Sequence, residues 1–354
     1  EGWGMPTDWY TNPDNFEFEM EEIFSKSWLF LCPVHSLKEP GDTMIGWAGK
    51  VPVVVTKDRE GKLRGFVNLC RHRGYAVARE AKKCSVLTCA YHGWTYNLDG
   101  TFRDGPNTKE EPGFDKSQMS LMPISVDTWG PGVFVNANPQ AEPLRDAHPQ
   151  LDRYAEKAGF PTDAEYYLET YGPARVIEYD FQSNWKLWYD NNSECYHCPT
   201  IHATTFSDAF DVDNENVTFA EVDEFMTFAF NPTDEPRPEG KLKAQWQRAF
   251  QLFPGIGMTA QDDILLVYQT LPETPESTHK VMYCLTKKDA DQELAHRWLD
   301  LWDATFKEDQ EATQIQQKGL RSGRLPRARY VTNQEGPVLF INRLILAAYK
   351  KAFR

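Results

Sequence analysis

The sequence lacks any apolar run long enough to cross a membrane. Its longest apolar runs, such as residues 344–349 and 51–55, fall far short of the roughly 20 residues that span a bilayer. The chain also opens without a charged segment followed by an apolar one, which a secretory leader would show. These absences predict a soluble protein with no membrane partner, and the cytoplasm is the expected compartment.

Excess positive charge is missing as well. The chain carries 38 Lys and Arg against 52 Asp and Glu, a formal net charge of −14. Phosphate backbones are bound by clustered basic side chains, so we expect no nucleic-acid partner. The chain also lacks a G-x-G-x-x-G motif after a predicted strand, so any NAD(P)H-oxidising step must belong to a partner protein.

Cysteine is scarce: 7 residues in a chain of 354, an odd number. Several of them stand close to histidines, which indicates metal chemistry in a reducing compartment and argues against a disulfide framework. Cys195 and Cys198 lie in a predicted helix among aromatic residues, where we expect them to be small apolar packing residues.

The pattern of apolar residues predicts an α+β fold. Short β-rich runs separated by turns fill residues 43–135 and predict a small all-β unit. A connector with helical spacing follows, and then a larger region of predicted strands and helices, with a long helix at residues 292–321. The proline-rich stretch 231–241 is expected to be a mobile surface loop.

Two Cys/His pairs form the first candidate metal site. Cys70 with His72, and Cys89 with His92, each follow a predicted strand, so two hairpin tips could present four ligands to one centre. Two thiolates with two imidazoles suit either a structural zinc or a Rieske [2Fe–2S] cluster. A common zinc finger keeps its two Cys together, whereas here each hairpin carries one Cys and one His, which favours the Rieske cluster. Cys84 has no His at a matching spacing, so we do not count it among the candidate ligands of this site.

A second candidate site lies at residues 194–202, with Glu194, His197 and His202. Pro199 should end a helix near Cys198 and let His202 turn back toward His197. Two imidazoles and one carboxylate form the facial triad of non-haem Fe(II) oxygenases. We predict Asp309 as the third ligand, because it lies about 20° from Trp302 in the inward stripe of the long helix.

Two neighbouring acids of that helix, Glu308 and Glu311, are predicted to fall on its opposite side. A carboxylate centred on an inward face is costly unless it is paired or binds a metal ion, which is why Asp309 is preferred.

Four segments resemble the ring-hydroxylating, Rieske-type non-haem iron oxygenases: CRHRG at 70–74, CAYHGW at 89–94, ECYHC at 194–198 and EDQEATQIQQKGL at 308–320. Glu194, where many ring dioxygenases carry Asp, makes the chain more similar to the homo-oligomeric branch of choline- and carnitine-like monooxygenases. The resemblance implies a Rieske domain at 27–137. It also implies a catalytic domain, formed by 1–26 and 138–354, with an antiparallel sheet covered by helices.

The resemblance also implies an activity. An O2-dependent oxygenase with a [2Fe–2S] cluster and a mononuclear Fe(II) would hydroxylate or dihydroxylate a small organic substrate, an aromatic acid or arene. Its electrons would come from NAD(P)H through a partner reductase or ferredoxin. One alternative is a monooxygenase acting on a quaternary ammonium or N-methyl compound. Two others are an electron-transfer Rieske protein without oxygenase activity and a zinc hydrolase.

The resemblance assigns roles to single residues. Cys70, His72, Cys89 and His92 would hold the cluster; His197, His202 and Asp309 would hold the iron; Glu194 and Asn191 would be catalytic. It further implies a homotrimer in which Glu194 links a triad histidine to His72 or His92 of the adjacent chain. The expected substrate pocket is lined by Phe206, Phe210, Phe228, Phe230 and Phe250.

Overall fold

The computed structural model describes residues 2–210, 212, 217–222, 225–230, 242–244 and 246–352; within 217–222 and 225–230 it describes the backbone only. The chain separates into two compact units. One comprises 1–23, 150–161 and 170–354, and the other comprises 24–149 and 162–169. The predicted surface loop at 231–241 lies outside the described residues.

The elements up to residue 170 begin with one short strand and one helix, followed by the strands of the second unit. They are β1 (Trp3–Pro6), α1 (Pro13–Glu22), β2 (Leu29–Pro33), β3 (Thr43–Ala48), β4 (Val51–Lys57), β5 (Leu63–Val67), β6 (Leu87–Thr88), β7 (Thr95–Tyr96), β8 (Phe102–Asp104), β9 (Pro123–Trp129), β10 (Gly132–Asn136), α2 (Leu144–Ala147), α3 (Leu151–Lys157) and α4 (Ala164–Thr170).

The elements after residue 170 belong to the first unit. They are β11 (Arg175–Phe181), α5 (Trp185–Asn192), α6 (Cys198–Ile201), α7 (Phe206–Ala209), β12 (Val217–Val222), β13 (Phe225–Phe230), β14 (Gln247–Leu252), β15 (Ile256–Gln261), β16 (Ile264–Thr274), β17 (Ser277–Thr286), α8 (Gln292–Leu320), β18 (Arg327–Arg329) and α9 (Gly336–Ala352).

The second unit is built on antiparallel sheets. Within its described residues, one sheet has the order β2-β10-β9-β5-β4-β3 and a smaller one has the order β6-β7-β8. The short strands and the loops between them bury a core that includes Phe66, Trp94, Tyr96 and Phe102. The thiols of Cys70 and Cys89 belong to the same buried cluster, so this core supports the loops that carry them.

The first unit has an antiparallel sheet of order β11-β17-β16-β15-β14-β13-β12 in the part that the structure describes. Helices α5 and α8 pack on this sheet. Asp291 caps α8, because its side chain accepts hydrogen bonds from the backbone N–H groups of Glu293 and Leu294. The buried face of α8 includes Trp302, Phe306 and Asp309. The predicted α+β class is confirmed, and the predicted long helix is found one residue shorter than expected.

A buried ion pair fixes helix α5 below the second candidate site. Lys186 Nζ lies 2.6 and 2.7 Å from the two carboxylate oxygens of Glu19, and both side chains are fully buried. The indole of Trp185 also donates to Glu19, at 2.8 Å. Removing one partner of a buried pair leaves an uncompensated charge, so these contacts hold α5 in one position. None of the described helices is both long and apolar enough to cross a membrane.

Candidate metal centres

The first centre lies on two loops of the second unit that share one hydrogen-bond pattern. The backbone N–H of Cys70 donates to the carbonyl of Tyr75, and that of Cys89 donates to the carbonyl of Trp94, in each case five residues further on. Gly74 and Gly93 donate back to the carbonyls of the two cysteines, and both have positive φ, 72° and 73°. Glycine adopts this conformation without steric cost, so each loop can turn tightly around its cysteine.

The four predicted cluster residues come together at the tips of these loops. Cys70 and Cys89 are buried and in no disulfide, whereas His72 and His92 are exposed. The two imidazole rings lie edge to face with centroids 4.6 Å apart, and His72 stacks on Trp94 at 4.9 Å. Two buried thiols and two exposed imidazoles on these loops fit the ligand set of a Rieske cluster, in which one iron takes both Cys and the other both His.

The thiol of Cys70 also contacts the hydroxyl of Tyr96, which lies 3.2 Å from its Sγ. The same hydroxyl accepts a hydrogen bond from the backbone of Arg71 at 3.0 Å. Burial raises the pKa of the Cys70 thiol, although the Tyr96 contact acts in the opposite direction. A bound metal reverses this effect of burial, because a thiol that coordinates a metal ion is deprotonated.

The second centre is formed by segment 194–202 and helix α8. Helix α5 ends at Asn192, earlier than predicted, and the short helix α6 begins at Cys198 with Pro199 in its first turn. Backbone hydrogen bonds from Ile201 to the carbonyl of His197, and from His202 to that of Cys198, wind one turn between the two histidines. The predicted return of His202 toward His197 is therefore found, but it is made by a separate turn after α5 has ended.

Three ligand atoms converge at this centre. Nε2 of His197 lies 3.2 Å from Nε2 of His202, and Oδ1 of Asp309 lies 3.4 and 3.0 Å from these two atoms. Ligands at right angles around a metal ion, each at about 2.1 Å, would be about 3.0 Å apart. Oδ1 of Asp309 is buried and receives no hydrogen bond from the described residues. A divalent cation fits these residues, because it would satisfy that oxygen and both imidazoles.

The other nitrogen of each histidine is held by a carboxylate. Nδ1 of His197 lies 2.6 Å from Oε1 of Glu194, and Nδ1 of His202 lies 2.7 Å from Oε2 of Glu308. A proton on each Nδ1 can then be donated to its carboxylate, which leaves the Nε2 lone pairs facing Asp309. Without a metal ion, burial lowers the pKa of His197, but Asp309 and Glu194 outweigh it and raise the value to about 10, so metal binding would displace the Nε2 proton. Burial likewise raises the pKa of Asp309, but the two imidazoles hold it below its usual value.

The contact of Glu308 corrects a prediction. Glu308 was placed on the face of α8 opposite the inward stripe, yet its side chain is 29% exposed and accepts a hydrogen bond from Thr205 at 2.6 Å besides facing His202. Adjacent helical residues are about 100° apart, and a flexible glutamate side chain can reach sideways over that angle.

The predicted helical position of Glu194 was also wrong. Glu194 lies in the segment between α5 and α6, where Oε2 accepts from the backbone N–H of His197 at 3.2 Å.

Cys195 and Cys198 are joined by a disulfide, which was not predicted. Both residues are buried, as expected of packing residues, but they lie outside a helix interior because α5 has already ended. Sγ of Cys198 lies 4.0 Å from Nε2 of His197. Since this sulfur is bonded to Cys195, it is not available as a thiolate, and the third ligand atom beside the histidines is the Asp309 carboxylate.

Asn191 contacts the centre as well, with Nδ2 3.4 Å from Nε2 of His197. A cavity of about 60 Å³ opens beside the three ligand residues. Its other described lining residues are Asn191, Asn192, Glu194, Cys195, Cys198, Phe206, Gln247, Thr259, Tyr268, Trp302, Thr305 and Phe306.

The predicted aromatic pocket is only partly found. Phe206 lines the cavity, whereas Phe210 stacks on Phe206 with centroids 4.3 Å apart and is not among the lining residues. Phe250 is fully buried away from the cavity, next to Phe160. The side chains of Phe228 and Phe230 lie outside the described part of the chain. The places of Trp302 and Phe306 in the cavity wall could have been predicted from the inward stripe of α8. Those of Gln247, Thr259 and Tyr268 could not, because they depend on how the strands pair.

Comparisons with known proteins agree with both centres. Residues 168–351, just over half of the chain, match the family model for the ring-hydroxylating alpha subunit (catalytic domain), and residues 27–126 match the model for the Rieske [2Fe-2S] domain. The chloroplastic choline monooxygenase of Spinacia oleracea is 28% identical over 345 residues, covering 92% of this chain and 74% of that protein.

Two further proteins are similar. The carnitine monooxygenase oxygenase subunit of Acinetobacter pittii is 33% identical over 212 residues, which are 60% of this chain and about half, 55%, of that subunit. The crystal structure of the quaternary ammonium Rieske monooxygenase CntA has the same fold, with a TM-score of 0.86 at 24% identity over 98% of this chain and 95% of that one. The names of the two sequence relatives agree with the quaternary ammonium alternative better than with the aromatic substrate that we expected first.

Proposed function

Because the chain belongs to the ring-hydroxylating alpha-subunit family and carries a Rieske domain, we propose that it is the oxygenase subunit of a monooxygenase for a quaternary ammonium or N-methyl compound. Electrons would come from NAD(P)H through a separate reductase or ferredoxin. The observation that carries the proposal is the convergence of two imidazole nitrogens and one carboxylate oxygen within 3.0–3.4 Å of one another. An electron-transfer protein without oxygenase activity would not need this second centre.

In this proposal, His197, His202 and Asp309 hold the iron. A ferrous ion held by two histidines and one carboxylate would supply O2-activating chemistry. Glu194 and Glu308 orient the two imidazoles through their Nδ1 atoms, which fixes the direction of each Nε2. Asn191 adds an amide beside His197, where it can hydrogen-bond a molecule in the cavity.

Cys70, His72, Cys89 and His92 hold the cluster in the same proposal. Histidine ligation raises the reduction potential of a [2Fe–2S] cluster above that of an all-cysteine cluster, so a cluster held here would supply one-electron transfer from a reductase. The buried thiols keep one side of this site in the apolar core, and the exposed imidazoles of His72 and His92 form its solvent-facing side. Electrons would therefore enter and leave at the imidazoles.

The cavity favours a small cation as substrate. Glu194 and Glu308 lie behind the two histidines of the triad, Asp309 is its third member, and the described lining residues include neither Lys nor Arg. The aromatic side chains of Tyr268, Trp302 and Phe306 add ring faces that attract an ammonium group.

A single-turnover experiment tests this proposal without the native reductase. The iron-loaded protein is reduced chemically under anaerobic conditions and then given ¹⁸O2 with one candidate substrate. We expect labelled product from choline, carnitine or glycine betaine and none from benzoate or naphthalene. The matched control is Asp309→Ala, which should keep the cluster spectrum and form no product. Turnover of the aromatic compounds alone would contradict the assigned substrate class.

A further inference from the structure

Gln247 is a buried amide in the cavity wall without a hydrogen-bond partner. It begins β14, is 1% exposed, and lines the cavity beside the triad. Neither its Oε1 nor its Nε2 has a partner among the described residues. Leaving both ends of a buried amide unpaired is costly, so such a group indicates a ligand or ordered water that completes its hydrogen bonds.

A second amide lies directly across the sheet. Gln261, at the end of β15, is the Cα partner of Gln247, so the two side chains project from the same face. Oε1 of Gln261 accepts a hydrogen bond from the indole of Trp302 at 2.8 Å. An indole N–H can only donate, and the orientation of this amide is therefore fixed, with Nε2 as the free end. That Nε2 is buried and also has no partner in the part of the chain that the structure describes.

Of these two amides only Gln247 lines the cavity, and it presents both kinds of hydrogen-bonding group there. Its Nε2 offers donors and its Oε1 offers an acceptor. A hydroxyl group can use both kinds, because it accepts one hydrogen bond and donates another. A carboxylate can only accept, so it would leave Oε1 of Gln247 unpaired or facing a negative charge. Burying a carboxylate also requires a positive partner, and the described lining residues include neither Lys nor Arg.

From this arrangement we infer that Gln247 is a specificity residue that hydrogen-bonds a hydroxyl group of the substrate, while the ammonium group lies against the aromatic lining of the cavity. The inference rests on the proposed substrate class and narrows it to quaternary ammonium alcohols, as opposed to betaines with a carboxylate. A pocket built to bind a hydroxyl discriminates strongly against the analogue that lacks it, since the amide is then left unpaired.

Binding measurements on the whole, iron-loaded protein test the inference without turnover. Isothermal titration under anaerobic conditions compares choline, ethyltrimethylammonium, which has hydrogen in place of the hydroxyl, and glycine betaine. We expect the wild type to bind choline at least about tenfold more tightly than either of the other two. Gln247→Leu should reduce the preference for choline over ethyltrimethylammonium to about one, and leave ethyltrimethylammonium binding within about twofold.

Gln251→Leu is the matched control. Gln251 lies on the same strand and face, is buried, and has an unpartnered Oε1 among the described residues, but it does not line the cavity. This variant should keep the wild-type preference. Gln247→Met gives a second test if the leucine variant fails to fold, as judged by the cluster spectrum and iron content.

Each result supports or overturns the inference. A preference for glycine betaine in the wild type, or an unchanged preference for choline in the folded Gln247 variants, would overturn the hydroxyl assignment and leave the substrate class intact. Equal weakening of choline and ethyltrimethylammonium would show that Gln247 only supports the shape of the cavity. A wild-type protein that binds none of the three compounds would overturn both this inference and the proposed function.

Discussion

Nδ1 of His202 lies 2.7 Å from Oε2 of Glu308, and the same oxygen accepts a hydrogen bond from Thr205 at 2.6 Å. This contact directs the opposite nitrogen of His202 toward Asp309, 3.0 Å away. Carboxylates behind metal-bound imidazoles commonly contribute 10- to 100-fold, roughly, to metal affinity or activity. Glu308 is therefore expected to act as a positioning residue for the iron.

We predict that Glu308→Ala lowers the affinity for Fe(II) by about 10- to 100-fold and leaves the cluster spectrum unchanged. Competition with a chelator measures the affinity. Glu308→Gln should restore part of it, because an amide oxygen can still accept from Nδ1. Glu311→Ala, an exposed position on the same helix, is the matched control and should bind iron like the wild type. Equal affinities in all four proteins would remove the positioning role.

Glu194 carries the proposed path between chains of a homotrimer. The chain after it carries Tyr196 and Ile201, which are 54% and 39% exposed and would suit a covered surface in an assembly. We propose that Glu194 links His197 of one chain to His72 or His92 of the next.

Mixing two inactive variants tests this path. Cys70→Ala should remove the cluster, and Asp309→Ala should remove the iron, so neither variant alone forms product. Trimers assembled from both should regain part of the activity, because electrons cross from the cluster of one chain to the triad of its neighbour. Adding Glu194→Gln to the Cys70→Ala chain should abolish most of this recovery while iron content and the trimer mass remain. Mixed trimers with no activity would exclude transfer between chains.

The disulfide between Cys195 and Cys198 predicts a defined thiol count. After denaturation and removal of iron, alkylation without reductant should label Cys32, Cys70, Cys84, Cys89 and Cys284. If the protein is reduced before alkylation, Cys195 and Cys198 should be labelled as well. Because the bridge closes a loop of only four residues, Cys195→Ser with Cys198→Ser should lower the unfolding free energy by no more than roughly 2 kcal/mol.

Mass spectrometry of the alkylated protein gives this count directly. Cys84→Ser, a change at a cysteine in no disulfide, should lose one label both with and without reduction. Labelling of all cysteines without reductant would show that the pair is not oxidised.

Lys280 predicts a pH dependence of stability. Its side chain is fully buried, with Nζ 3.5 Å from the ring centroid of Trp188 and 2.9 Å from the hydroxyl of Thr270. Burial holds the pKa of Lys280 well below its ordinary value of 10.5. Between the lowered folded value and about 10.5 the unfolded chain binds more protons, so stability should rise with pH across that window.

Replacing Lys280 by Met should therefore raise the thermal midpoint at about pH 7 and flatten its increase toward about pH 9. Lys287→Met is the control, because Lys287 pairs with Asp263 at 2.9 Å and is partly exposed. It should change the pH profile little, since pairs near the surface contribute little to stability. If the thermal midpoint of Lys280→Met depended on pH as that of the wild type does, the amine of Lys280 would be charged in the folded protein and its charge balanced by its surroundings.

The sequence predicts features that depend on local pattern. The long amphipathic helix and the inward position of Asp309 follow from a 3.6-residue period, and the Cys/His loops follow from spacing and glycine. The end of α5 at Asn192 could not be predicted in this way, because the following segment is held by Glu194, a disulfide and α8. The position of Gln247 depends on the register of β14 and β15, which distant residues determine.

Metal analysis combined with a visible spectrum is the most direct test of the central claim that this chain holds both a Rieske cluster and a mononuclear iron. We predict a red-brown protein with about three irons per chain, two in the cluster and one in the triad, and no stoichiometric zinc. Cys70→Ala or Cys89→Ala should abolish the colour, whereas His202→Ala should keep it and lose one iron. A colourless, folded protein loaded with zinc would contradict the account.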